Sequence, residues 1–134
     1  MSVRVFVPRD AAARSVGADE VATRIAAEAQ LRGLDVSIVR NGSRGMLWLE
    51  PLVEVETPAG RIGYGPVTED DVPTLFDAGF LEDRAGGHAL HFGPVEAIPY
   101  FARQQRLTFA RCGVIDPLSL DDYLAHGGYG GLTR

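Results

Sequence analysis

The spacing of apolar and polar residues divides this chain into short elements whose period switches between two and about four. Val3-Arg-Val-Phe-Val7 alternates at first and then turns wholly apolar, the pattern of a largely buried strand. A polar, alanine-rich stretch runs to Gly17. From there Val21, Ile25 and Ala29 recur at every fourth position, which predicts a helix over 18–32. Asp19 and Glu20 suit the positive end of that helix, and Gly33 suits its C-cap. Leu34-Asp-Val-Ser-Ile-Val39 returns to period two, with Leu34, Val36 and Ile38 on one face of a second strand.

A glycine-rich loop, Arg40-Asn-Gly-Ser-Arg-Gly-Met46, leads into an apolar run from Leu47 to Glu56 that is interrupted at Pro51. The Thr57-Pro-Ala-Gly60 turn then joins this run to Arg61-Ile-Gly-Tyr64 as a hairpin. Thr68-Glu-Asp-Asp71 is a capping-box pattern ahead of Val72, Leu75 and Phe76, the apolar stripe of a second helix that Gly79 closes. The predicted order is β-α-β-β-β-α. It implies an α/β fold with a four-stranded mixed sheet, two covering helices and a right-handed, parallel first crossover. Such a sheet buries enough surface to be stable, though modestly so.

The remainder reads less regularly. Residues 81–92 form a polar turn region, 94–106 a further helix or extended arm, and Leu107-Thr-Phe-Ala110 a short apolar piece. A last helix begins at Asp116-Pro117, with an aspartate or Ser119 as its cap, and stops at His126-Gly-Gly-Tyr-Gly-Gly131. These patterns divide the chain into a domain over 1–92 and an arm over 93–134. The stop soon after that glycine-rich turn reads as a cut and not as a natural end.

Composition changes the picture in three places. The single cysteine, Cys112, excludes an internal disulfide framework and fits a reducing cytoplasm. No apolar run approaches the roughly 18 residues of a membrane span, and the N-terminus lacks the apolar core of a signal peptide. Net charge is −5, which argues against nucleic acid as a partner. That total conceals an asymmetry, since residues 1–48 carry seven arginines against five acids and residues 49–134 carry six against thirteen. Every basic residue is arginine.

The glycines and proline of two loops carry a resemblance. The chain resembles the thioredoxin-like two-iron ferredoxin domain of NADH-dehydrogenase-type subunits. That family has a C-x4-C pair after the first strand with a glycine four residues later, and a G-C-x-G-x-C-x3-P loop after the second strand. Gly17 places the first pair at Pro8 and Ala13; Gly42, Gly45 and Pro51 place the second at Ser43 and Leu47. The scaffold residues match and all four ligand positions have changed, so the resemblance implies a fold without its cluster. Iron–sulfur clusters need thiolates, typically four.

The tail extends the likeness. Gly113-x-Ile-Asp-Pro-x-Ser119, followed by Tyr123 and Gly127-Gly-Tyr129, is similar to the G-x-I-D-P-x-S-x-x-x-Y-x-x-x-G-G-Y entry segment of flavin- and NADH-binding subunits. Together the motifs point to the beta subunit of soluble NAD-dependent formate dehydrogenase, and related bidirectional hydrogenase diaphorase subunits share the arrangement. The resemblance implies a parent that binds FMN, NAD and a four-iron four-sulfur cluster through a later part absent here. It implies partners among the other subunits of such a complex. This chain alone is then expected to be inactive, without a cofactor, and structural in role.

Candidate residues follow from the same placement. Arg9, Arg14, Arg40 and Arg44 are expected to converge near the two loops, either to dock an acidic partner or trap an anion, or as separately solvated arginines. A stand-alone protein binding an anionic ligand there is the competing functional reading. Trp48 is expected on a strand, in the core or an interface, and Leu47 to fill part of the space a cluster would take. Cys112 is read as a small buried hydrophobe or, beside Arg111, as a redox thiol. His88, His91 and His126 lack a third ligand at zinc spacing. Asp70-Asp71 and Asp121-Asp122 fit helix caps better than acid–base chemistry.

Overall fold

Alternation along the strands sorts side chains onto two faces of one sheet, and both faces are covered. The structure, a computed structural model, describes residues 1–133. The elements are β1 (Val3–Phe6), α1 (Ala11–Ser15), α2 (Ala18–Leu31), β2 (Val36–Val39), β3 (Val53–Thr57) and β4 (Gly60–Tyr64), then α3 (Val72–Asp77), β5 (His91–Pro94), α4 (Pro99–Ala102) and α5 (Leu120–Ala125). The sheet order is β2-β1-β3-β4-β5. Only β1 and β2 are parallel; the other neighbours are antiparallel.

The predicted helix at 18–32 is α2, preceded by Gly17 at φ +98 and followed by Gly33 at φ +65, conformations that L side chains rarely adopt. Thr68 donates to the Asp71 carboxylate through its N–H (2.8 Å) and hydroxyl (2.6 Å), so the capping motif initiates a 3-10 turn that runs into α3. Arg32 reaches Glu28 one turn back and Asp77 on α3, each at 2.8 Å, which ties the two helices together.

One sheet face is apolar. Val5 and Val7 around β1, Val53 and Val55 of β3, and Ile62 and Tyr64 of β4 meet Val21 and Ile25 of α2 and Leu75 of α3 in a single core. By the period-two rule, Arg4, Phe6, Glu54, Glu56, Arg61 and Gly63 occupy the opposite face. The arm covers it. Val95 lies so close over Gly63 that a Cβ there would sit 2.9 Å from Val95 Cγ2. Val95, Ile98 and Phe101 join Met46, Leu49 and Leu52 in a second, smaller apolar cluster.

Three expectations are corrected. The sheet has five strands and not four, because His91–Pro94 pairs with β4 where the sequence reads as a turn ending at 92. Gly93, at φ +76, and Pro94 obscure that strand in the sequence. The domain boundary expected between 92 and 93 therefore falls inside β5. The apolar run from Leu47 is not a strand, since Leu47–Leu49 forms a 3-10 turn and β3 begins only at Val53.

Candidate functional site

The loops that follow β1 and β2 lie side by side and are stitched together by Arg40. Its guanidinium donates to the carbonyls of Val7 and Pro8, both at 3.1 Å, and to Asp19 on α2 at 2.5 Å. Arg14 binds the other Asp19 oxygen at 2.9 Å. These contacts, led by the Arg40 hydrogen bond, hold the Asp19 carboxyl below its ordinary range. Within the second loop, Ser43 donates to Glu50 (2.7 Å) and accepts the Gly45 N–H (2.9 Å), while Leu52 N–H reaches the second Glu50 oxygen at 3.2 Å. Glu50 is buried, and that burial pushes its carboxyl upward; the Ser43 and Leu52 bonds offset part of the rise, and the charges of Asp10 and Glu54 add to it.

A buried ionic centre stands on the polar face of the sheet. Arg44 and Glu54 are 3% and 1% exposed and form a two-pronged pair, Nε to Oε1 at 2.7 Å and Nη2 to Oε2 at 2.9 Å. Arg44 also binds Glu96 at 3.0 Å, and Arg61 approaches Glu54 at 3.3 Å. Burial works against the Arg44 charge, but the hydrogen bonds and charges of Glu54 and Glu96 outweigh it and raise its pKa. For Arg61 burial prevails and its pKa is lowered. The Arg61 guanidinium stacks 3.4 Å from the centre of the Phe6 ring.

Part of the arm lies directly against this centre. Asn41 Nδ2 and Arg61 Nη1 both donate to the Gly113 carbonyl at 2.8 Å, and Arg61 Nη2 donates to the Val114 carbonyl at 2.6 Å. Arg106 bridges the Cys112 and Arg44 carbonyls. Gly113 sits at φ +82, and a Cβ on it would lie 2.6 Å from Arg44 Cγ.

The structure distributes the expected site residues unequally. Arg14 and Arg40 meet at Asp19, Arg44 is buried in its pair with Glu54, and Arg9 is exposed. The anticipated convergence of four arginines is therefore not formed: Arg14 and Arg40 share the one carboxylate of Asp19, and Arg44 is turned inward to Glu54. Leu47 is 61% exposed and fills no cavity; its buried neighbours Met46 and Leu49, at 1% and 2%, occupy the interior instead. A 3-10 turn has about three residues per turn, so Met46 and Leu49 share the inward side while Leu47 and Trp48 between them face outward. Trp48 is likewise outside the core, 57% exposed, with its ring edge-on to Tyr100 at 4.9 Å.

Cys112 is exposed, which removes the buried-hydrophobe reading, and the arm uses its carbonyl. His88 bonds Thr74, His91 packs on Tyr64, and His126 bonds the Asp122 carbonyl, so each is engaged locally. Asp71 caps as expected. Ser119 accepts the Asp122 N–H at 3.1 Å, which settles the cap of α5. Sequence reasoning missed Asn41, Glu54, Arg61, Arg106 and Gly113. The available signal was charged residues at alternate positions of otherwise apolar strands, a sign that the second face needed buried partners.

No protein-family model matches this sequence, and no curated protein does. Several solved structures match in shape. A cysteine-to-serine variant of the thioredoxin-like 2Fe-2S ferredoxin from Aquifex aeolicus superposes with a TM-score of 0.54 at 23% identity, over 68% of this chain and 98% of that one. Another structure of a thioredoxin-like 2Fe-2S ferredoxin from the same organism gives 0.50 at 24% identity, over 71% of this chain and 86% of that one. The fold is thioredoxin-like. On this thioredoxin-like frame the residues do not suit an iron–sulfur cluster. Of Pro8, Ala13, Ser43 and Leu47 only Ser43 carries a donor atom, and its hydroxyl is committed to Glu50 and Gly45. Among the described residues no group of three or more His, Cys, Asp or Glu is placed to hold a metal ion, and no helix is long and apolar enough to cross a membrane.

Proposed function

We propose that this chain is a cluster-free, non-catalytic docking domain of the NADH-oxidising subunit of a soluble NAD-dependent formate dehydrogenase or a related diaphorase. What supports the reading is the thioredoxin-like frame, on which the resemblance places the four thiolate positions at Pro8, Ala13, Ser43 and Leu47, beside Gly17, Gly42, Gly45 and Pro51. The Gly113-to-Tyr129 segment supports it through its likeness to the entry of flavin- and NADH-binding modules. In this reading FMN, NAD and the four-iron cluster belong to the rest of the parent subunit. The domain holds that module against its neighbours while electrons pass through other centres.

Co-expression with the catalytic and flavin-binding parts of such an enzyme tests the reading. The chain should co-purify with them and, alone, should be colourless and free of iron. Brown protein with stoichiometric iron and labile sulfide would overturn it, as would failure to associate. The competing reading, a stand-alone binder of anions or acidic proteins through its arginines, is disfavoured because Arg14, Arg40 and Arg44 are already paired with carboxylates.

A further inference from the structure

The glycine-rich loop between β2 and β3 contacts a piece of the chain about 70 residues downstream. The arm contributes main-chain carbonyls of Gly113 and Val114 and the side chain of Arg106 to this contact. Gly113 and Val114 present two successive carbonyls to Arg61 in a two-pronged arrangement at 2.8 and 2.6 Å, and Asn41 adds a second donor to the first of them. Arg106 closes the other side by joining the Cys112 carbonyl to that of Arg44 in the loop. Gly42 also approaches closely, since a Cβ there would lie 3.7 Å from the Gly113 nitrogen.

The donors are held independently of the arm. Arg61 is stacked on Phe6 and drawn toward Glu54, and Asn41 is buried with its backbone carbonyl accepting the Arg9 N–H at 3.0 Å. Charge-assisted bonds to carbonyls excluded from water are strong and directional. Beyond the contact, α5 buries none of its residues, so the hold rests on Cys112–Ile115.

We infer that the face formed by Asn41, Arg44, Arg61 and the glycine-rich loop is a peptide-binding site, and that its ligand is the chain's own Cys112–Val114 segment. Its specificity is for glycine at the centre. The left-handed φ of +82 and the 2.6 Å approach to Arg44 both exclude a side chain there. The acceptors are main-chain carbonyls, so the exposed Cys112 side chain is free to vary, whereas Val114 is half-buried and Ile115 is buried. The inference does not depend on the formate dehydrogenase reading.

The test uses the whole chain with a cleavable protease sequence inserted between Leu107 and Thr108, both exposed. After cleavage the downstream fragment should stay bound and co-elute with the rest on size exclusion. A synthetic peptide covering 110–117 should displace it, and the same peptide carrying alanine in place of Gly113 should do so about a hundredfold less well. Release of the fragment upon cleavage would overturn the inference, as would equal competition by the two peptides. In the uncut chain, Gly113→Val should raise amide exchange in 41–46 by about tenfold or more. Should that variant fail to fold, Arg61→Met on the cleaved protein probes the same contact from the opposite side and should release the fragment. Retention of the fragment by Arg61→Met would count against the site.

Discussion

Single residues in the second loop behave oppositely to their neighbours, and mutation separates them. Leu47→Ala should change stability by less than about 0.5 kcal/mol, whereas Leu49→Ala should cost about 2–5 kcal/mol, as thermal melts would show. Equal effects would contradict the 3-10 turn. Tyr64 is fully buried and its hydroxyl has no hydrogen-bond partner among the described residues, with the phenol pushed up to about 12 mainly by burial. Tyr64→Phe removes a desolvated group and should be neutral or stabilising by up to about 1 kcal/mol. Glu50 carries a pH signature. Its folded pKa lies above the ordinary value of 4.5, so its contribution to stability is fully present below that value and is lost as pH rises through the folded pKa. Glu50→Gln should therefore raise the melting temperature at pH 7 and leave it nearly unchanged near pH 4. A difference that did not vary with pH would refute this.

At the level of elements, what was legible depended on whether side chains or backbone did the work. The repeat at Val21, Ile25 and Ala29 revealed α2, and the hairpin turn revealed β3 and β4, because those patterns encode burial against one core. Strand β5 was hidden, being short and half glycine and proline, and it exists because β4 offers a free edge to it. Leu47-Trp48-Leu49 looked like a strand because an apolar triplet does not declare its period. The candidate site was only partly readable. The loop glycines and Pro51 stood out in the sequence, but the meeting of Arg44, Glu54 and Arg61 depends on how the loop folds over β3 and β4, which no local pattern shows. Glu54→Gln should cost about 3–5 kcal/mol, because it leaves the Arg44 charge buried with only Glu96 beside it. A chemical-denaturation curve shifted by under about 1 kcal/mol would mean the pair is dispensable.

For the molecule as a whole, the arm is a second layer against the sheet and not an appendage. Phe6, Glu54 and Gly63 are buried beneath it, and Val95, Ile98 and Phe101 bury their side chains in turn. Sheet and arm should accordingly unfold together, with calorimetric and van't Hoff enthalpies in agreement. Two separated transitions would show the arm to be an independent unit. Sequence alone suggested the division at 92 because Gly93 and Pro94 hide β5, and because the more distant contacts of the arm are carbonyls of Gly113 and Val114, which leave no side-chain pattern to read.

The strand order leaves β2 and β5 outermost, and these two margins are unequal. Pro94 has no N–H to offer a neighbour, and Gly93 at φ +76 lies in an irregular register with β4, so regular growth of the sheet on that flank is disfavoured. Val36–Val39 contains neither proline nor charge. A foreign strand added to this protein, whether by assembly or by aggregation, would join alongside β2.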